Sequence, residues 1–87
     1  MTDDPLLTRV QRIVVTQAGA DRTPRDVSPD TALGGAGFWL DSVDLLEIVL
    51  ACESEFGVTF DSETDLTLEA LATVRSLAAL IARKGGA

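Results

Sequence analysis

The chain has 87 residues, of which seven are Lys or Arg and fourteen are Asp or Glu, and its formal net charge is -7. A chain of this length forms one domain, which we expect to span residues 1–87. The negative charge repels phosphate backbones and anionic lipids, which argues against nucleic acid and membrane surfaces as partners. It favours transient contacts with proteins that have basic surfaces.

The residue inventory also argues against most catalytic and metal chemistry. The chain contains no His, which removes the commonest general base and metal ligand. Its one Cys, Cys52, cannot form an internal disulfide, and its apolar neighbourhood predicts a buried side chain. The acidic start at Met1–Asp4 is unlike a secretory signal, and no apolar run approaches about 20 residues. We therefore expect a cytoplasmic protein without catalytic residues or a metal site.

The first predicted element is an amphipathic helix from about Asp4 to Ala18. Pro5 suits the first helical position, and Gly19 ends the helix. Apolar residues recur at helical spacing and predict one stripe that faces the core. The residues of this stripe are Leu6, Leu7, Val10, Ile13 and Val14.

The segment from Ala20 to Leu40 is rich in Pro and Gly, which is typical of a long loop. Loops of this length in a small domain are either disordered or functional. We predict an ordered loop, because its large apolar residues can pin it to the helices. These residues are Val27, Leu33, Phe38, Trp39 and Leu40. We interpret Gly34-Gly35-Ala36-Gly37 as a flexible turn, since it lacks the strand and the Lys of a nucleotide-binding loop.

The most strongly patterned stretch predicts a second helix from Asp41 to Glu55, with Gly57 just beyond its end. Its apolar residues form two rows, whereas one row is enough to build a core. The first row comprises Leu45, Ile48, Val49, Cys52 and Phe56. The second row comprises Val43, Leu46 and Leu50, beside Asp44, Glu47 and Glu53. We predict that this second row is an exposed apolar strip with an acidic rim.

The remaining residues predict three further elements: a brief extended piece at Val58–Phe60, a short helix over about Leu68–Leu71, and a last helix. Thr73 caps the last helix, which runs to about Lys84. Its inner face consists of Val74, Leu77, Ala78, Leu80 and Ile81. The predicted fold is therefore all-α: a four-helix bundle of three main helices and one short helix, with a long loop between the first and second helices.

Ser42 lies where the glycine-containing loop meets the start of the second helix, so its hydroxyl should be accessible. The simplest interpretation is that Asp41 or Ser42 only caps the helix, a contribution of about 0.5 to 2 kcal/mol. A serine hydrolase would require a general base that this chain lacks.

Three stretches resemble the acyl carrier protein family. They are Leu33-Gly34-Gly35, Leu40-Asp41-Ser42-Val43-Asp44-Leu45-Leu46-Glu47 and Glu53-Ser54-Glu55-Phe56-Gly57-Val58. In that family an Asp-Ser-Leu or Asp-Ser-Val motif opens the second helix, and its Ser is esterified by 4′-phosphopantetheine. The resemblance implies that Ser42 is the attachment residue and that Asp41 belongs to the motif. It looks most like a stand-alone carrier that holds acyl groups as thioesters in a polyketide, fatty acid or related natural-product pathway.

The resemblance also implies partners: a phosphopantetheinyl transferase, an acyl-loading enzyme, a ketosynthase or other pathway enzymes, visited by a monomeric carrier. Partners with basic surfaces are expected to dock on one face. The residues of that face are Ser42, Val43, Asp44, Leu46, Glu47 and Leu50. Trp39 is bulkier than the residue of many family members, and we interpret it first as a cover for the core. A contact with the arm, its cargo or a partner is the alternative for Trp39.

Two other functions remain open. An aminoacyl or peptidyl carrier of a nonribosomal peptide pathway would use Ser42 in the same way with a different cargo. An unmodified helical interaction subunit would bind a partner through its apolar strip, and Ser42 would only cap a helix.

Overall fold

The computed structural model describes residues 4–35 and 37–86. Within them the chain forms three helices, α1 (Pro5–Ala18), α2 (Ser42–Phe56) and α3 (Val74–Arg83), and no strand longer than an isolated bridge between Ala32 and Thr73. α1 packs against both α2 and α3. The all-α prediction is thereby confirmed for the described residues, and none of their helices has the length and apolar character needed to cross a bilayer. The acidic start at Met1–Asp3 and Ala36 of the glycine-rich turn lie outside the described residues.

Local side-chain contacts explain where each helix begins and ends. Asp4 caps α1 by accepting a hydrogen bond from the backbone N–H of Leu6 at 3.0 Å. Thr73 caps α3 and accepts the N–H of Ser76 at 3.1 Å, while the Ser76 hydroxyl oxygen accepts the N–H of Thr73. Gly57 ends α2 in the left-handed conformation at φ 66°, which favours glycine. The bounds of the three main helices are therefore close to the predicted ones.

The core contains the inward rows of all three helices. Val10 and Val14 of α1 are buried, and Leu6, Leu7 and Ile13 pack partly against the core. Every predicted inner residue of α3 is buried. α1 and α2 run antiparallel, because Arg9 near the start of α1 pairs with Glu55 near the end of α2, at 2.9 Å. The start of α2 therefore lies at the same end of the molecule as the end of α1.

The long loop between α1 and α2 is ordered, as predicted, because its backbone is bonded to the start of α3. The N–H of Arg75 donates to the carbonyl of Pro29 at 2.8 Å, and the N–H of Leu33 donates to the carbonyl of Ala72 at 2.9 Å. The Arg75 guanidinium also pairs with Asp30 at 2.7 Å. These contacts fix the path of the loop before it reaches α2.

A tight turn leads from the loop into α2. The N–H of Phe38 donates to the carbonyl of Ala32 at 2.9 Å, and the N–H of Leu40 donates to the carbonyl of Leu33 at 3.0 Å. Gly37 is required here, because a Cβ at this position would lie 1.8 Å from the Ala32 carbonyl oxygen. Two opposed chain segments therefore approach each other too closely for any side chain at this position.

The prediction of a short helix over Leu68–Leu71 is wrong, and this segment is a hydrogen-bonded turn. The N–H of Leu71 donates a helix-like hydrogen bond to the carbonyl of Thr67 at 3.0 Å. The carbonyl of Ala70, however, accepts a hydrogen bond from the Ser76 hydroxyl at 2.8 Å. The next residues are drawn into the bridge with the long loop, so a helical turn cannot propagate. Leu68 is 95 % exposed and gives the segment no packing energy.

Candidate functional site

Ser42 is the first residue of α2, and its side chain is exposed. The helix cap is Asp41, whose carboxylate accepts the N–H of Asp44 at 2.9 Å, while the Asp44 carboxylate accepts the N–H of Asp41 at 3.2 Å. This reciprocal capping box caps the helix without using the Ser42 side chain. The Ser42 hydroxyl consequently makes no hydrogen bond to the described part of the chain and is accessible, as predicted.

The start of α2 also suits a phosphate ester on Ser42. The N–H of Asp44 is held by the cap, and the N–H of Leu45 donates to the Asp41 carbonyl at 3.0 Å. The N–H groups of Ser42 and Val43 have no acceptor within residues 4–35 and 37–86. Such groups at the positive end of a helix dipole stabilise an anion. These two N–H groups would suit a phosphodiester on the Ser42 oxygen.

A fixed cation lies beside this site. Arg22, from the loop after α1, donates to both carboxylate oxygens of Asp44, at 2.6 Å and 3.2 Å, and to the carbonyl of Ala18 at 3.3 Å. The Asp44 side chain is only 15 % exposed. The hydrogen bonds from Arg22, followed by that from the Asp41 backbone, lower the pKa of Asp44 to about 2. Asp44 therefore ties the loop to α2 and stays ionised at neutral pH.

Arg22 was missed by the sequence reasoning. The loop that contains it has no periodic pattern, and the partner of Arg22 lies beyond the glycine-rich turn. An Arg near the end of one helix and an acid in the first turn of the next helix are a weak signal for such a link, because many loops contain both. Only the antiparallel packing of α1 and α2 brings the two residues together.

The predicted apolar strip is exposed. Val43 is 62 % exposed, Leu46 54 % and Leu50 55 %, and we call these three residues the outer strip. The opposite face of α2 is buried at Ile48, Val49 and Cys52, with Leu45 and Phe56 packed partly against the core. Both predicted rows are therefore confirmed, one in the core and one at the surface.

The three acids beside the outer strip differ in how strongly they are held. Asp44 pairs with Arg22, and the Glu53 carboxylate accepts the N–H of Phe60 at 2.8 Å. The Glu47 carboxylate contacts the side-chain amide of Gln17, yet the residue remains exposed. Glu53 therefore helps to hold the chain after α2, and Glu47 is the one exposed residue among these three acids.

The interpretation of Trp39 as a cover for the core is wrong, because this residue is 69 % exposed. Its neighbours Phe38 and Leu40 are buried and take the core positions of the turn. Trp39 also has φ 58°, a left-handed conformation that costs an L residue with a side chain about 1 to 2 kcal/mol. The turn thus directs its largest side chain into solvent.

Cys52 is a core residue, as predicted. Its side chain is fully buried, and burial, followed by the charge of Glu55, raises the pKa of the thiol to about 12. A thiol with such a pKa is protonated at neutral pH and is a poor nucleophile. The reactive group of this protein is therefore not the native cysteine.

Comparison with known proteins agrees with this geometry. The family model described as the phosphopantetheine attachment site matches residues 8–81. The acyl carrier protein of Petrotoga mobilis is 33 % identical over 84 residues, which are 97 % of this chain and 92 % of that protein. An acyl carrier protein homolog of Mycoplasma genitalium is 43 % identical over 47 residues, which are 53 % of this chain and 56 % of that protein. No solved structure matches the chain at a significant level. The chain belongs to the acyl carrier protein family, non-catalytic proteins with a covalently attached 4′-phosphopantetheine.

Proposed function

We propose that this protein carries acyl intermediates as thioesters on a 4′-phosphopantetheine arm attached to Ser42. It delivers them to enzymes of a polyketide, fatty acid or related biosynthetic pathway. The observation that best supports Ser42 is its exposed hydroxyl at the first position of α2, left free because Asp41 caps the helix. The position agrees with the Asp-Ser-Val motif at residues 41–43.

The attachment requires no catalytic group from this chain. The Ser42 oxygen attacks the phosphorus of coenzyme A that bears the pantetheine, and the bond from that phosphorus to the adenosine bisphosphate breaks. The hydroxyl proton passes to a base of the transferase. A chain without His has no histidine base to activate the free Ser42 hydroxyl, so the attachment depends on the base of the transferase. When bound, the group supplies the thiol on which an acyl chain forms a thioester.

The residues around Ser42 would offset only part of the added charge. A phosphodiester brings one negative charge beside Asp41 and Asp44, while Arg22 and the N–H groups of Ser42 and Val43 offset it. The net effect is an acidic site that holds a phosphate without closing around it. Such a site stays open to the enzymes that act on the arm.

Docking uses the outer strip together with Glu47. Apolar side chains supply contact area, and the exposed carboxylate orients partners with basic surfaces. The partners are a phosphopantetheinyl transferase, an acyl-loading enzyme, and a ketosynthase or other pathway enzymes, met by a monomeric carrier in the cytoplasm. Contacts of this kind are small and sensitive to salt, which suits a carrier that must leave each enzyme quickly.

The test is intact-mass analysis after incubation with coenzyme A and a broad-specificity phosphopantetheinyl transferase. The wild-type protein is expected to gain one phosphopantetheine, and Ser42→Ala is expected to gain none. Ser54→Ala is the matched control, because Ser54 is also an exposed serine of α2. It should be loaded like the wild type, and circular dichroism should show similar helix content in both variants.

An unchanged mass of the wild-type protein with several transferases would favour an unmodified interaction subunit. Loading of Ser42→Ala would move the attachment to another residue. Intact mass of the protein from its native producer then identifies the cargo. An acyl group supports this proposal, and an aminoacyl or peptidyl group assigns the carrier to a nonribosomal peptide pathway.

A further inference from the structure

Burial in the core does not explain the presence of Trp39 in the turn. Tryptophan supplies a large apolar surface, and in small proteins that surface is mostly buried. Here the core of the turn is filled by Phe38 and Leu40, and the indole between them is exposed. An exposed indole that adds nothing to the core must either be tolerated or be used by something that contacts it.

The turn holds Trp39 in one place. The residues on both sides of it are bonded by their N–H groups to the opposite segment, Phe38 to Ala32 and Leu40 to Leu33. The backbone of Trp39 itself adopts a left-handed conformation that bulky residues rarely adopt. Backbone conformations of this kind persist where the surrounding structure enforces them, and they concentrate at functional sites.

The indole emerges next to the residue that bears the arm. Burial alternates along the turn: Phe38 and Leu40 point into the core, while Trp39, Asp41 and Ser42 are exposed. Three Cα–Cα steps along the chain join Trp39 to Ser42, so their Cα atoms lie at most about 11 Å apart. An arm attached to Ser42 therefore sweeps a volume that includes the indole.

We propose that the indole of Trp39 packs against the phosphopantetheine arm on Ser42 and the group that it carries. The inference rests on the proposed attachment at Ser42. The arm is a short flexible tether, and such a tether holds its free end at an effective concentration in the millimolar range near its attachment point. Even a weak aromatic contact is therefore substantially populated. The indole face suits the apolar and amide groups of the arm, and such a contact biases the arm towards the turn without enclosing it.

The fluorescence of the protein tests this directly, because Trp39 is its only tryptophan and it has no tyrosine. Apo protein is loaded from coenzyme A and from acyl-coenzyme A, and loading is verified by intact mass. Quenching of the Trp39 emission by acrylamide is then compared among the apo, holo and acyl forms. The quenching constant is expected to fall about twofold on loading. This value applies to an indole that is covered half of the time, which is the case when the effective concentration of the arm equals the dissociation constant of the contact.

The matched control moves the indole to the other end of the molecule. Thr8 is exposed on α1, next to Arg9, which pairs with the last turn of α2. That turn lies about 20 Å along the helix from Ser42. A variant with Trp39→Phe and Thr8→Trp is loaded and quenched in the same way, and circular dichroism verifies its fold. Its quenching constant is expected to stay the same on loading.

Each outcome decides the inference. A quenching constant that falls on loading for Trp39 alone supports the inference. An equal fall of the quenching constant for the indole at position 8 would reveal a general change of the protein and overturn the inference. Complete loading by mass with unchanged Trp39 quenching overturns the inference and leaves the proposed function intact. Trp39 quenching that changes only while the transferase is present assigns the residue to docking instead. Absence of a mass gain contradicts the attachment itself, and the inference falls with it.

Discussion

The two faces of α2 carry the same kinds of side chain in opposite environments. Ile48 and Val49 on the inner face are buried in the core, whereas Val43, Leu46 and Leu50 on the outer face are more than half exposed. Burial of a Val, Leu or Ile side chain contributes about 1.5 to 3 kcal/mol to folding. The side chains of the inner face contribute this free energy to folding. The outer strip contributes only a smaller part of it, because its side chains are more than half exposed.

The difference shows that only one of the two apolar rows of this helix is buried in the core. The spacing of the apolar residues decides which row faces the core, but the two apolar rows of α2 cannot both be buried there. An apolar row that folding does not use remains available for partners. The comparison is therefore between a face that stabilises the fold and a face that we propose meets other proteins, and mutations can separate the two.

The largest effect is expected from Ile48→Ala on the inner face. Removal of this fully buried side chain leaves a cavity and should lower the free energy of unfolding by about 2 to 5 kcal/mol. Urea denaturation measures it. Leu50→Ala on the outer strip is the matched control and should change the free energy by less than about 0.5 kcal/mol. Equal losses for the two variants would contradict the division of α2 into two faces.

The next effect tests the cap that leaves Ser42 free. Asp41→Ala removes the carboxylate that accepts the Asp44 N–H, and it should lower the free energy of unfolding by about 0.5 to 2 kcal/mol. Asp41→Asn keeps an acceptor oxygen and should lose less. Ser42→Ala should be close to neutral in the same urea titration. A large loss for Ser42→Ala would mean that Ser42 helps to cap the helix.

The main helices could be predicted because periodicity and capping residues act locally. Pro5, Gly57 and Thr73 mark helix ends whatever the tertiary structure, and the spacing of apolar residues selects the inward rows. The short helix over Leu68–Leu71 failed for a non-local reason. The bridge between Ala32 and Thr73 holds the following residues in an extended path, and nothing near Leu68 in the sequence indicates that pairing.

The candidate site likewise divides into features that the sequence predicts and features that depend on tertiary packing. The exposed Ser42 and the outer strip follow from the sequence, because both depend on one helix and its first residue. The Arg22–Asp44 pair and the exposure of Trp39 do not. Both depend on how the loop packs, and an aromatic residue in a loop is more often buried than displayed. The structure also reveals that the predicted docking acid Asp44 is held by Arg22.

A smaller effect is expected from the outer strip. Leu46→Ser should leave urea stability close to that of the wild type but lower kcat/KM for transferase loading by roughly fivefold, about 1 kcal/mol of lost contact. Glu47→Gln should weaken loading less, and its effect should fade at high salt because an exposed charge is screened. Unchanged kinetics for both variants would place docking elsewhere on the surface.

The smallest effect concerns acid stability. The folded pKa of Asp44 is about 2, below its ordinary value of 3.8, because Arg22 and the Asp41 backbone donate to the carboxylate. A group with a lowered folded pKa stabilises the native state above its unfolded pKa, and this contribution is lost as the pH falls from about 4 through about 2. Asp44→Asn should therefore flatten the decline of stability in that window, measured as urea midpoints between pH 2 and 5.

The urea midpoint of Asp44→Asn should still fall somewhat with falling pH, because hydrogen bonds also lower the pKa values of Asp30, Asp61 and Asp65. Arg22→Gln should change the slope in the same direction, since it removes the main cause of the lowered Asp44 pKa. Asp21→Asn is the control, because Asp21 is exposed and makes no hydrogen bond within the described residues. A slope in Asp44→Asn equal to that of the wild type and of Asp21→Asn would mean that Arg22 does not hold the carboxylate in solution. Asp44 would then be available for the proposed docking together with Glu47, and the acidic rim would be wider than the structure indicates.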